Sequence, residues 1–331
     1  MANHENRAAA PSCAAPFRTM IGGQALIEGI MMLGPDKKSV VIRRPDGELE
    51  IKTETRKLIK DRHPVLGWPM IRGVVNFCVS MATGVKALMY SAEFYPEEDG
   101  EEDEPSKLEQ WIEKHFGGEK AASFFIGLAV ALGMIFSVGL FLVLPTLLSA
   151  WLLYFFPGTP LWVRNLVEGA VKVVIFLGYL ILSSRMKDIK RVFSYHGAEH
   201  KTIFCYEKGL ELTVENVRAQ PKHHPRCGTS FLFVVIIVSI LLSSIVFSFW
   251  RFTNPWLRAL VHLILLPAVV GLTWEINRYV GGHDNLLCRI IRRPGMDIQR
   301  WTTFEPDDSM IEVGIEALRQ VLPEEKGKDA W

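Results

Sequence analysis

Net charge, a cysteine framework and a leader pattern are all missing from this chain. Formal net charge over 331 residues is +1, so no bulk field gathers nucleic acid, and nucleic acid is set aside as a partner. Cysteine is sparse. Cys13, Cys78, Cys205, Cys227 and Cys288 are too few and too scattered for a disulfide-stapled fold. The N-terminal stretch is polar with scattered Ala and Pro, without the basic-then-apolar order of a secretory leader. A flexible N-terminus is expected over residues 1–19.

Apolar length is what the sequence has in excess. Hydrophobic residues make up 49% of the chain, mean hydropathy is +0.17, and the apolar residues concentrate between 121 and 276. Residues 121–156 carry no charge and exceed the ~20 residues a bilayer crossing needs. One tilted helix is expected from about 121 to 144, broken or kinked by Pro145, with Trp151, Tyr154, Phe155 and Phe156 at an interface. Two short spans in a hairpin are the alternative. Pro157-Gly158-Thr159-Pro160 reads as a loop. Further spans are expected at 163–183, 231–250 and 256–276.

Lysine and arginine set the orientation. The 185–230 segment holds nine, 157–163 none and 250–258 two. The basic loop and both termini therefore belong in the cytosol of a bacterial cytoplasmic (inner) membrane. All five cysteines then lie on the reducing side.

The polar parts give a coarse domain plan. Residues 20–96 form a cytosolic region, in which 38–53 (KSVVIRRPDGELEIKT) predicts a β-hairpin around Pro45-Asp46-Gly47. Residues 69–92 predict an amphipathic helix, with Arg72, Asn76, Thr83 and Lys86 opposite Val74, Phe77, Cys78, Met81 and Leu88. It either lies on the cytosolic interface or packs as an ordinary half-buried helix. An acidic linker follows at 97–106. The transmembrane region is 107–276 with its cytosolic loop at 185–230, and 277–331 is a cytosolic segment. That segment ends in an amphipathic helix over 307–322, capped by Asp308 or Ser309. The expected fold class is an α-helical polytopic membrane protein with four transmembrane helices and a small α+β cytosolic N-terminal region.

The residues that carry chemistry lie in the central loop. YHGAEHK places His196, Glu199 and His200 on one helical face. Histidines at i and i+4 can share a metal ion, and the Glu between them can act as base, as in the H-x-x-E-H zinc-protease pattern. HHPRCGTSF adds His223, His224 and Cys227. The expected ligands are His196, His200, His224 and Cys227 for a divalent metal, zinc by ligand type, with Glu199 catalytic. The bland alternative is that these histidines cap helices or meet lipid headgroups.

IGGQALIEGIMM, YHGAEHKTI, HPRCGTSF and WTTFEPDD, in this order, resemble the YqhQ-like family of bacterial membrane proteins, over residues 20–322. The family carries a predicted label of metal-dependent enzyme. The resemblance implies that Gln24 and Glu28 of the first motif also matter. Glu28 is one acid in an apolar run, so it is buried and paired, by a salt bridge to an Arg, or it completes a site.

Glu168 and Lys172 fall inside the second span at i, i+4, and His262 lies at similar depth in the fourth. The three are expected to meet, as a functional cluster or as a neutralised pair joining two helices. Three functions follow. The first is a membrane-anchored, metal-dependent hydrolase-like enzyme. The second is a non-catalytic membrane-protein assembly or quality-control factor at the insertion machinery, with a structural metal. The third is a small transporter. The lipid bilayer is the one partner common to all.

Overall fold

The computed structural model describes residues 17–56, 63–95, 118–250, 252, 254–325 and 327–330. Most of the expected flexible N-terminus, Cys13 and the acidic linker lie outside the described residues.

An antiparallel sheet opens the chain. Strands β1 (Gly22–Leu26), β2 (Gly29–Leu33), β3 (Lys37–Arg43) and β4 (Leu49–Thr55) pair in sequence order. The expected hairpin is β3–β4, closing from Arg43↔Leu49 through Gly47 at φ +90°. β1 and β2 form a second hairpin absent from the sequence reading. Its turn residue is Glu28, at φ +50°, which sequence reading took for an acid interrupting one apolar run. A strand covered on both faces shows no polar alternation, and β2 is such a strand.

Each face of the sheet has its own cover. Ile30, Met32 and Val41 pack with Tyr195, Ala198, Val313 and Leu318. Those partners belong to helices α5 (Lys187–Glu207) and α10 (Asp308–Arg319). Leu26, Met31, Val40 and Ile42 pack instead with Ala87 of helix α1 (Ile71–Ala92). The alternation of strand side chains thus sorts one apolar run into two cores.

Among the described residues five helical stretches are long and apolar enough to cross a membrane: Ile71–Ala92, Gly127–Tyr154, Leu161–Ser183, Gly228–Phe249 and Pro255–Gly282. Large apolar side chains such as Ile135, Val174, Leu241 and Ile264 point outward, consistent with contact with a lipid bilayer. The second stretch does not break at Pro145. Helix α2 (Gly118–Val138) passes through a π-turn (Gly139–Val143) into α3 (Leu144–Tyr154). Pro145 sits in the first turn of α3, directly after the wider turn, where its missing N–H costs least. The run is one helix with an irregular turn, not a hairpin.

Helix α4 is Leu161–Ser183, α7 Gly228–Phe249, α8 Pro255–Gly282 and α9 Leu286–Thr302. The 185–230 segment is not a loop but α5 followed by the short α6 (Val214–Arg218). α1 docks where Gly73 meets Trp274 and Met70 meets Gly271 of α8. Arg72 there pairs with Glu275, and Phe77 stacks on Phe231 at the start of α7. The helix then continues onto the sheet, where Gln24 fills the space over Gly84.

Candidate metal centre

α5 crosses under the sheet with a glycine in its interior. Gly197 is there because Phe304 passes so close that a Cβ would land on its carbonyl oxygen. That approach fixes the 302–306 segment against α5, and the Phe304 N–H donates to the Phe193 carbonyl at 3.0 Å.

The close approach orients the first histidine. His196 Nδ1 lies 2.8 Å from the Thr302 carbonyl oxygen. A carbonyl only accepts, so Nδ1 carries a proton and Nε2 is turned the other way. His200 repeats the device: its Nδ1 lies 2.6 Å from the Lys222 carbonyl. The two rings sit 4.3 Å apart, centroid to centroid. Cys227, the N-cap of α7, brings its Sγ to 3.1 Å from His196 Nε2 and accepts from the Thr229 N–H at 3.4 Å. One ligand atom each from His196, His200 and Cys227 lies within 4.8 Å of the others.

Electrostatics follow from that packing. Burial opposes ionisation of Cys227, but His196 and His200 overcome it and hold the thiol well below its ordinary value. Burial likewise disfavours protonation of His196. The Cys227 sulfur, with smaller help from Glu199 and Thr302, wins and raises it to about 9. Each of the two thus favours the charged form of the other. Burial pushes the Glu199 carboxyl up, against the pull of His196 and His200. Glu199 Oε1 accepts from the Gly23 N–H at 2.8 Å.

His224 is close to this group without joining it. Its ring is 5.5 Å from that of His200, but Nε2 faces the Glu207 carboxylate at 3.7 Å, and Arg226 pairs with the same Glu207. Gln299 clamps the His224 backbone, accepting from its N–H at 2.7 Å and donating to its carbonyl at 2.8 Å. Gln24 lies against α1. Glu28 is taken by Arg191 and by the Tyr195 hydroxyl at 3.0 Å, the salt-bridge alternative. From the first motif it is the backbone of Gly23, not Gln24 or Glu28, that touches Glu199. A Cβ on Gly23 would meet the Glu199 carboxyl carbon at 3.0 Å, so the paired glycines were the legible signal.

At the other end of α7, Glu168, Lys172 and His262 do meet. His262 Nε2 is 2.6 Å from Glu168 Oε1, and Lys172 Nζ lies 3.7 Å from the same oxygen and 3.2 Å from His262 Nε2. Sequence reading missed Arg258, which donates to Glu168 Oε2 at 2.6 Å and to Asn165 Oδ1 at 3.0 Å. It had counted Arg258 as a loop charge. Its position four residues before His262, one turn inside α8, was the available signal.

Residues 68–324 match the family described as "Protein of unknown function (DUF1385)". The chain is 35% identical over 305 residues to "Uncharacterized protein YqhQ" of Bacillus subtilis (strain 168), covering 91% of this chain and 92% of that protein. No solved structure matches.

Proposed function

The chain belongs to the DUF1385 family, and from that premise we propose a membrane-anchored, metal-dependent, hydrolase-like enzyme with its centre at the cytosolic membrane face. In this reading four stretches, beginning at Gly127, Leu161, Gly228 and Pro255, cross a bacterial cytoplasmic membrane with both termini inside. α1 lies along the inner face, supported by its docking at the Cys227 end of α7 and then on the sheet. The lysine and arginine bias of 185–230 supports the orientation.

One observation carries the site. Two histidines have their Nδ1 atoms tied to backbone carbonyls, which leaves both Nε2 atoms free of that role, and one ligand atom from each histidine and the Cys227 sulfur lie within 4.8 Å of one another. Imidazole, imidazole and thiolate suit zinc, and three protein ligands are the number found in open, catalytic sites. A bound ion would supply a Lewis acid. The chain supplies the rest. Thr302 and Lys222 orient the ligands, the Gly23 N–H fixes Glu199 Oε1, and Oε2 is the oxygen that takes up and returns a proton.

Metal analysis of the purified full-length protein tests this. Wild type should carry about one zinc per chain. His196→Ala and Cys227→Ser should fall below about a tenth of that, while His224→Ala keeps it. A metal-free wild type, or a His196→Ala that retains its zinc, removes the reading. A second reading, an assembly factor with a structural metal, is favoured by the way the group ties α5 to the start of α7. The cobalt-substituted protein separates the two. Cyanide should change its visible spectrum if a coordination position is open and leave it unchanged if the site is closed.

A further inference from the structure

The buried group between α4 and α8 is out of balance. Among the described residues Glu168 is its one carboxylate. Lys172 and Arg258 bear on it directly, and Arg164, half-buried, lies one turn before it on α4. Among the described residues two basic side chains thus meet one acid and a third lies one helical turn away, with His262 as a further proton carrier. Burying an unmatched charge is costly wherever water is excluded, and Arg258 and Asn165 are only 1% and 6% exposed.

The hydrogen-bond pattern is unbalanced in the same sense. Glu168 is fully engaged: Oε1 accepts from the Thr146 hydroxyl at 2.7 Å and faces His262, and Oε2 accepts from Arg258. Among the described residues, Arg258 Nε, Asn165 Nδ2 and Arg164 Nε are buried donors with no acceptor. Every missing partner is an acceptor, and the missing charge is negative. A neutral acceptor would satisfy the donors and leave the charge. A cation would satisfy neither.

Position narrows the ligand further. Arg164 and Arg258 each lie one turn inside the N-termini of α4 and α8, whose positive dipole ends add to the field. The Arg258 guanidinium lies 3.9 Å over the Phe247 ring. Phe247 is near the far end of α7 from Cys227, roughly 30 Å along the helix from the histidine–thiolate group. On the proposed topology this is headgroup depth on the outer side.

We propose that the Arg164–Asn165–Arg258 corner, backed by Lys172, binds a phosphate-type oxyanion. Its source is the headgroup of an anionic phospholipid or free phosphate, and the two share the chemistry: several diverging acceptors and a negative charge.

Thermal unfolding of the delipidated full-length protein tests it. Inorganic phosphate and short-chain phosphatidylglycerol are the probes, and diacylglycerol of the same chain length is the control. Wild type should be stabilised in a saturable way by at least one phosphate-bearing probe and not by diacylglycerol. A response to phosphatidylglycerol alone assigns the lipid, and a response to inorganic phosphate assigns the free ion.

Asn165→Asp keeps the oxygen that serves Arg258, replaces the orphaned donor with an acceptor and supplies the missing charge. It should weaken binding at least ten-fold without lowering the ligand-free midpoint. Arg164→Gln, whose side chain has no hydrogen bond among the described residues, should weaken it at least three-fold, and it answers the question should Asn165→Asp fail to fold. The proposal is overturned if neither probe stabilises wild type, if diacylglycerol does equally well, or if the folded variants bind like wild type.

Discussion

Gly197 stands mid-helix, where glycine costs about 1 kcal/mol against alanine. It persists because Phe304 occupies the space of a side chain. Gly197→Ala gains helix propensity but must displace a backbone carbonyl, a change that costs about 1–3 kcal/mol. The expected outcome is a lower unfolding midpoint and weaker metal retention, since Thr302 moves with Phe304. Gly178→Ala, where a Cβ meets open space, is the control and should be neutral or stabilising. Equal behaviour of the two variants would refute the packing argument. The legibility of the site divides along the same line. His196, Glu199 and His200 follow from 100° steps along a helix. That Cys227 joins them while His224 turns to Glu207 was not legible, because a sequence does not say which way a pre-helical turn points its side chains. Thr302 and Lys222 were hidden because they act through backbone carbonyls, which leave no mark in residue identity.

At the scale of elements, the turn from α6 into α7 is held by ionisable groups, and so it responds to pH. Burial works against the charged form of Glu207, but His224 and Arg226 outweigh it and lower its carboxyl. Burial holds His224 below the ordinary imidazole value, against the pull of Glu207. Both groups bind fewer protons folded than unfolded, so both contribute stability that is complete above their unfolded values and falls with pH. The histidine part is lost first, as pH drops below about 6.5, and the carboxylate part below about 4.5. The unfolding midpoint should therefore decline from pH 6.5 downward, and His224→Gln should flatten the first part of that decline. A variant profile parallel to wild type would exclude His224 as the source. Elements were also unequally legible. A long apolar run has few folded solutions, so the long apolar helices showed through. The β1–β2 hairpin did not, because a strand covered on both faces loses its period of two.

For the whole molecule, α1 decides the count of crossings. Its two ends distinguish a helix that crosses from one that lies flat. Single cysteines replacing Trp68 and Glu93, in a chain with its native cysteines removed, should both resist an impermeant maleimide in intact cells and react once the membrane is opened. Labelling of either from outside would make α1 a fifth crossing and reverse the side assigned to one of its ends. The four sequence motifs gain meaning only at this scale. The first reaches Glu199 through Gly23, the third supplies Cys227, and the fourth supplies Thr302, so three distant segments meet on the second, carried by α5.

The π-turn at Gly139–Val143 has a consequence of angular phase. A π-turn holds one residue more than an α-turn in the same rise, so everything after it is rotated by about 100° relative to an unbroken helix. Thr146 begins just beyond it and reaches Glu168 in that rotated frame. Removing one residue from Gly139–Val143 would leave the helix continuous and its apolar length almost unchanged. It would take out the extra residue together with the wide turn, so Thr146 would keep its place against the carboxylate. The full sequence wound as an unbroken helix would instead turn Thr146 away and bring a different face of α3 against α4. The turn works as a vernier, setting which side chain of a uniformly apolar helix faces the charged core.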